Sequence, residues 1–309
     1  MTRAPASPSS SLSRRATNND GFVIVAVLWI LGALAALVSI YSLYVVESAS
    51  TFAAHTDKLR ADALVTAALE LTAYRLTTPA EPRVSHGSFD FRLGPAKTMV
   101  AFHPENARID LNAAPKELLS GLFVGLGARS NDAQEYADRI VAWRTAPSKA
   151  DTSEASSYRD SGLKYVPRGG PFPHVNELML VRGLPTTLAE RALPFVTVHS
   201  GSPQVNVIVA APRVVAALPG MTPDRLNAFL AQRELAPGLG QALLLQLGTS
   251  RGYATSEGSK ASRVEVSTIF DNGRRFNAEI VILMTEQGDE PYMVLSFNDM
   301  DNEANVSVR

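Results

Sequence analysis

Few side chains in this sequence are spaced to do chemistry. The five histidines, His55, His86, His103, His174 and His199, are scattered, and none lies in a His-Glu-x-x-His or similar ligand spacing. No Gly-x-x-x-x-Gly-Lys loop is present to cradle a nucleotide phosphate. Without cysteine the chain has neither a disulfide nor a thiolate nucleophile. A net charge of −1 supplies no basic field to gather nucleic acid. These features point away from an enzyme.

The dominant element runs from Gly21 to Val46 without a charged residue, closed by Asp20 on one side and Glu47 on the other. At about 26 residues it exceeds the ~20 that cross a bilayer as a helix. A secretory signal peptide has an apolar region of only about 7–15 residues. This segment is too long for one, although small residues follow at Ser48-Ala49-Ser50. The leader before it carries Arg3, Arg14 and Arg15 against one acid, which predicts a cytoplasmic N-terminus and an exported C-terminal bulk. Rich in Ser, Ala, Pro and Asn, that leader reads as disordered. The exported part, about 260 residues, suffices for one large or two small cores.

Between Phe22 and about Leu76 the only helix breaker is Gly32. One continuous helix is predicted, some 54 residues and about 80 Å long at the α-helical rise. In its second half Leu59, Ala63, Ala67, Leu71 and Tyr74 fall three or four apart, so they are expected to form the face that packs on a soluble domain. Pro79 and Pro82 end the helix. Strands are predicted over Ser88–Leu93, Thr98–Phe102 and, as a short third, Arg108–Leu111. Helices follow over 115–124 and 131–144, then a polar loop from Ala146 to Pro173, then apolar segments over Val175–Val181 and Thr187–Leu193.

A weak internal repeat follows. Ile109-Asp110-Leu111-Asn112-Ala113-Ala114-Pro115 is echoed from Val205 to Pro212, each copy leading into a short apolar helix and a Gly turn. Thr222 and Pro223 supply an N-cap and first-turn proline for a helix over Asp224–Gln232. Ser, Gly and Thr dominate 248–262, which reads as a linker or loop. Strands are predicted over Val264–Ile269, Arg275–Met284 and Tyr292–Phe297, with a frayed acidic tail from Asn298. The expected fold class is α+β, with a long N-terminal membrane helix packed on an antiparallel sheet and a large helical domain inserted into that sheet.

An apolar run that opens at Gly21-Phe22 behind a basic leader, and continues into a long helix, resembles the type IV prepilins and type II secretion pseudopilins. The whole layout is similar to the minor pseudopilins of the GspK (general secretion pathway protein K) family. It does so through GFVIVAVLWIL from Gly21, IDLNAAPKELL from Ile109, HVNELMLVRGLP from His174 and the Val205–Thr222 repeat. That resemblance spans nearly the whole chain. It implies a leader peptide over 1–21 cut by a prepilin peptidase between Gly21 and Phe22, and a transmembrane stretch over 22–46. The pilin-like domain would comprise 47–111 and 248–309, with an inserted helix-hairpin-helix or SAM-like domain over 112–247.

The resemblance also gives Ala26 a meaning. Most pilins carry Glu at this fifth mature position, where a carboxylate meets the neighbour's N-terminal ammonium inside an apolar core. In the resembled family its absence goes with a place at the filament tip. The implied partners are the other minor pseudopilins (GspI, GspJ and GspH types), the major pseudopilin, the prepilin peptidase and the inner-membrane secretion platform. The implied location is the inner membrane, single-pass, with the bulk in the periplasm. Relatives hold calcium on acidic loops of the insert. The matching loop here offers Asp151, Glu154 and Asp160, a thin set for a cation that wants six or more oxygens. No metal or other cofactor is therefore expected. A rival resemblance is to membrane-anchored competence receptors, whose helix-hairpin-helix holds DNA phosphate on the amides of a Gly-x-Gly turn. Gly125-Leu126-Gly127 fits that turn. Gly183-Leu184-Pro185 lacks an N–H at Pro185, and Gly220-Met221-Thr222 lacks the second Gly. Nucleic acid is not an expected partner.

Overall fold

A computed structural model describes residues 20–78, 85–146, 153–235, 238–285 and 290–300. The leader before Asp20, the tail after Met300 and Asp151 lie outside the described residues. The chain forms two compact units, residues 1–60 and 61–309. In the first, the chain is helical from Asp20, the start of α1 (Asp20–Thr77). Val23–Val45, with a mean hydropathy of 2.8, is long and apolar enough to cross a membrane, and none of it is buried. Gly32 does not interrupt the helix.

The second unit is built on a five-stranded antiparallel sheet. Its strands are β1 (Gly87–Leu93), β2 (Ala96–Pro104), β7 (Ala261–Phe270), β8 (Arg275–Met284) and β9 (Tyr292–Asp299), in that spatial order. The C-terminal part of α1 covers one face. Val65, Ala68 and Leu69 pack on Val100, Phe102, Val264, Val266, Ala278, Ile280 and Ile282. Ala61 and Leu64 meet Ala96 and Phe270. Alternation along the strands sends these side chains inward and Lys97, Met99 and Glu265 outward. A buried Thr98–Thr268 hydroxyl pair at 3.0 Å locks the β2–β7 register.

The helix face used is not the one that periodicity selects. Leu71 and Tyr74 are 41 % and 69 % exposed, whereas Ala61, Leu64, Val65, Ala68, Leu69, Thr72 and Ala73 are buried. Alanine is abundant on every side of this helix, so the apolar pattern is nearly isotropic. Ala61, Leu64, Val65, Ala68, Leu69 and Thr72 form a second stripe at helical spacing, and the sheet packs on that one.

Residues 105–260 leave the sheet after Pro104 and return at Ala261, on adjacent strands paired throughout. They form a helical block with its own core. Its elements are β3 (Ile109–Asp110), α2 (Lys116–Gly125), α3 (Ser130–Arg144), α4 (Ser153–Asp160), α5 (Thr186–Ala192), β4 (Val196–Thr197), β5 (Val205–Asn206), α6 (Pro212–Ala216), α7 (Pro223–Leu235), α8 (Gly240–Gln246) and β6 (Ala254–Thr255).

Three stretches differ from the sequence reading. The strand expected near Arg108–Leu111 pairs in parallel with β4 inside the block and not with the sheet. The polar loop from Ala146 contains α4, held by Tyr158, which is fully buried against Trp143. The expected linker after Gly248 is a 3-10 turn (Gly248–Tyr253) followed by β6, which pairs in parallel with β5.

Candidate functional site

Gly21 and Phe22 lie in the first turn of α1, immediately after Asp20. Ala26 sits one turn further on, at the start of the uncharged span. The Gly–Phe peptide bond lies where Asp20 gives way to the apolar segment. Ala26 brings no carboxylate into it.

The block is a duplication, and its logic is clearest at Asp110. This side chain is buried, yet both oxygens are satisfied. Oδ1 accepts from the amides of Asn112 (2.7 Å) and Ala113 (3.2 Å). Oδ2 accepts from Ser200 Oγ (2.9 Å) and the amide of Gly201 (2.7 Å). Asp110 thereby shapes the turn into α2 and ties it to the segment after β4. Asn206 holds the same place in the second copy, and its Oδ1 accepts from the amide of Ile208 at 3.1 Å.

Each turn is then clamped by an arginine at the end of the following long helix. Arg144 donates to the carbonyls of Leu111 (2.5 Å) and Ala114 (2.7 Å). Arg233 donates to Val207 (2.9 Å) and Ala210 (2.7 Å). The copies pack back to back where a Cβ on Gly121 would overlap the carbonyl of Ala217. The paired arginines escape a reading of local motifs because they lie far downstream of the turns they clamp. Arg144 follows Asp110 by 34 residues and Arg233 follows Asn206 by 27, so the spacing differs between the copies and gives no repeat signal.

The block joins the sheet through a buried ionic cluster. Glu105 and Arg263 are buried side by side, Arg263 Nε donating to Glu105 Oε2 at 3.0 Å. Arg263 also pairs with Glu279 of β8, and Arg108 reaches the same carboxylate at 3.5 Å. Thr197 of β4 donates its hydroxyl to Glu105. Burial works against the Arg263 charge, but Glu105 and Glu279 outweigh it and raise its pKa. Nothing local in the sequence pairs residues so far apart.

The residues singled out for chemistry are engaged structurally. In the Gly125-Leu126-Gly127 turn, the amides of Leu126, Gly127 and Ala128 donate to carbonyls of α2 at 2.9 Å each. Arg213 Nη1 donates to the Gly125 carbonyl at 2.7 Å. These amides close the helix and do not face outward for a phosphate. At Gly183 the Arg139 guanidinium occupies the space a Cβ would need and donates to the Arg182 carbonyl at 2.8 Å. Glu154 and Asp160 are spread along α4, with Glu154 Oε1 buried and unpartnered.

Among the described residues no three His, Asp or Glu side chains gather around a cation position. His86, His103 and His199 each have a pKa lowered by burial. His174 Nδ1 accepts from the amide of Asn176 at 3.1 Å. One motif passed over in the sequence, Gly248-Thr249-Ser250-Arg251-Gly252, has the spacing of a nucleophile elbow. Ser250 is buried in a 3-10 turn and donates to the Pro219 carbonyl at 2.6 Å. It is not placed to attack a substrate.

Residues 101–201 match a family model described as Type II secretion system (T2SS), protein K. The match covers the end of β2 and the first copy of the duplicated block. One similar solved structure is described as the crystal structure of the GspK-GspI-GspJ complex from the enterotoxigenic Escherichia coli Type 2 Secretion System. A chain of it aligns with a TM-score of 0.57 at 16 % identity, covering 82 % of this chain and 99 % of its own length. That likeness is one of fold. A search of curated proteins finds no match. The resemblance to the K family expected from the sequence is thus found in the family model over 101–201, and the fold is like that of the solved chain.

Proposed function

We propose that this chain is a minor pseudopilin that sits at the tip of a type II secretion pseudopilus and helps start its assembly. The observation that carries this reading is a large duplicated helical block, matching protein K over 101–201, inserted between adjacent strands of a sheet that packs on one long N-terminal helix. In this reading the leader stays in the cytoplasm and a prepilin peptidase cuts after Gly21. The Val23–Val45 span remains in the inner membrane until it joins the filament, and the rest is periplasmic. The chain works by assembly and not by catalysis.

Ala26 and the block support the tip position by different routes. A subunit without the fifth-position carboxylate lacks one charge contact for docking beneath a neighbour's ammonium. A block the size of residues 105–260 would also obstruct a protomer stacked above it. The partners in this reading are other minor pseudopilins, as in the complex from Escherichia coli, together with the major pseudopilin and the inner-membrane platform.

Deleting the chain in its native host is the test. The expected result is accumulation in the periplasm of folded proteins normally exported, restored by the full-length chain. Intact secretion together with lost DNA uptake would overturn the reading in favour of a tethered DNA receptor.

A further inference from the structure

The two edges of the sheet are built differently. At β1, Asp90 pairs with Lys97 (3.4 Å), Arg92 pairs with Asp271 (2.9 Å), and the Arg75 guanidinium lies 4.4 Å from the centre of the Phe89 ring. Charges of this kind blunt a strand edge against pairing. The other edge, β9, has β8 on one side and no further strand among the described residues. Tyr292–Asp299 contains no Lys, Arg or Pro. Met293, Val294 and Phe297 are each about half exposed (50, 47 and 52 %). Val294 and Phe297 stand opposite the core residues Ile282 and Ile280, so they extend the helix-covered face beyond the helix. An edge strand whose exposed side chains Met293, Val294 and Phe297 are apolar is a template for another strand.

The geometry points to β9 as a docking edge for an extended strand of another protein, apolar in its middle and basic at its ends. The backbone of an edge strand is matched in full only by another extended backbone, which sets the shape of the partner. Charge sets the ends. Among the described residues, Glu290 precedes β9 and Asp299 closes it, and the strand itself carries no Lys or Arg. A second copy pairing antiparallel on β9 would bring Glu290 of one chain toward Asp299 of the other, acid toward acid, which opposes self-association. A basic-ended strand gains where a second copy loses. This inference does not depend on the tip position.

The test uses the full-length chain in detergent micelles and the peptide Lys-Val-Thr-Val-Thr-Val-Lys. Strand addition predicts binding, slowed hydrogen exchange in β9, and a loss of about tenfold or more when both lysines become glutamates or every peptide amide is N-methylated. V294K should weaken binding by about tenfold, whereas I269K on the outward face of β7 should leave it unchanged. Equal binding of the N-methylated or glutamate-ended peptide would overturn the proposal. So would no binding at about 1 mM, well above the affinity of a specific strand complex. A dimer that V294K dissociates would identify a second copy as the occupant. Binding that appears only after removal of 301–309 would identify the chain's own tail. Either result also overturns the proposal.

Discussion

Asp110 and Asn206 occupy the same place in two copies of one unit but are not equally committed. Asp110 accepts four hydrogen bonds while buried. Asn206 accepts from the Ile208 amide through its oxygen, while its buried Nδ2 has no partner. Stranding a buried donor costs about 1–3 kcal/mol. D110A should therefore destabilise the second unit by roughly 2–4 kcal/mol and N206A by about 1 kcal/mol in urea titrations. Equal losses would show that the carboxylate does not organise the turn. Tyr292 gives a pH test at the same scale. Burial, then its hydrogen bond to Glu70 at 3.1 Å, pushes its phenol up to about 12 from the ordinary 10. The folded state keeps its proton between those values while the unfolded state loses it. Stability from this group is thus full below pH 10 and lost as pH rises toward 12. In an absorbance titration one of the eight tyrosines should ionise near 12, and E70Q should lower that value.

Among the elements, Gly121 on α2 lies against the second copy with no room for a side chain. Any side chain there meets the backbone of Ala217 just beyond α6, and a backbone cannot rotate out of the way. G121A should cost at least about 1–3 kcal/mol, whereas G125A, whose Cβ meets open space, should cost little. Thermal unfolding of the two variants checks this. The elements were legible where the sequence carried its own local signal. The α1 span, the sheet strands and the Thr222 cap of α7 all show in the residues themselves, whereas α2 starts after Pro115 without a side-chain cap. What was hidden depends on distant partners. Helix α4 folds because Tyr158 finds Trp143 and donates no local pattern. The segment after Gly248 reads as a linker by composition, yet Ser250 and β6 are fixed by Pro219 and β5. The sheet-facing side of α1 is ambiguous in the sequence because two stripes, one through Leu64, Ala68 and Thr72 and one through Ala63, Ala67 and Leu71, share the helical spacing, and only the strands choose between them.

For the whole molecule, the account rests on a helical block grafted onto a pilin-type sheet without breaking the pairing of β2 and β7. The Glu105–Arg263–Glu279 cluster is the graft's ionic seam. Removing one partner of a buried pair costs about 3–5 kcal/mol because the other charge is left behind. E105A should therefore lower the stability of sheet and block together, and R263M combined with E105L should recover most of the loss. No recovery in the double variant would mean that the seam is held by something else. The central claim, that this is a processed pseudopilin, is tested most directly by mass spectrometry of the mature N-terminus from native membranes. The account predicts a chain beginning at Phe22. A chain beginning at Met1, or near Thr51 after a signal-peptide cut, would contradict it.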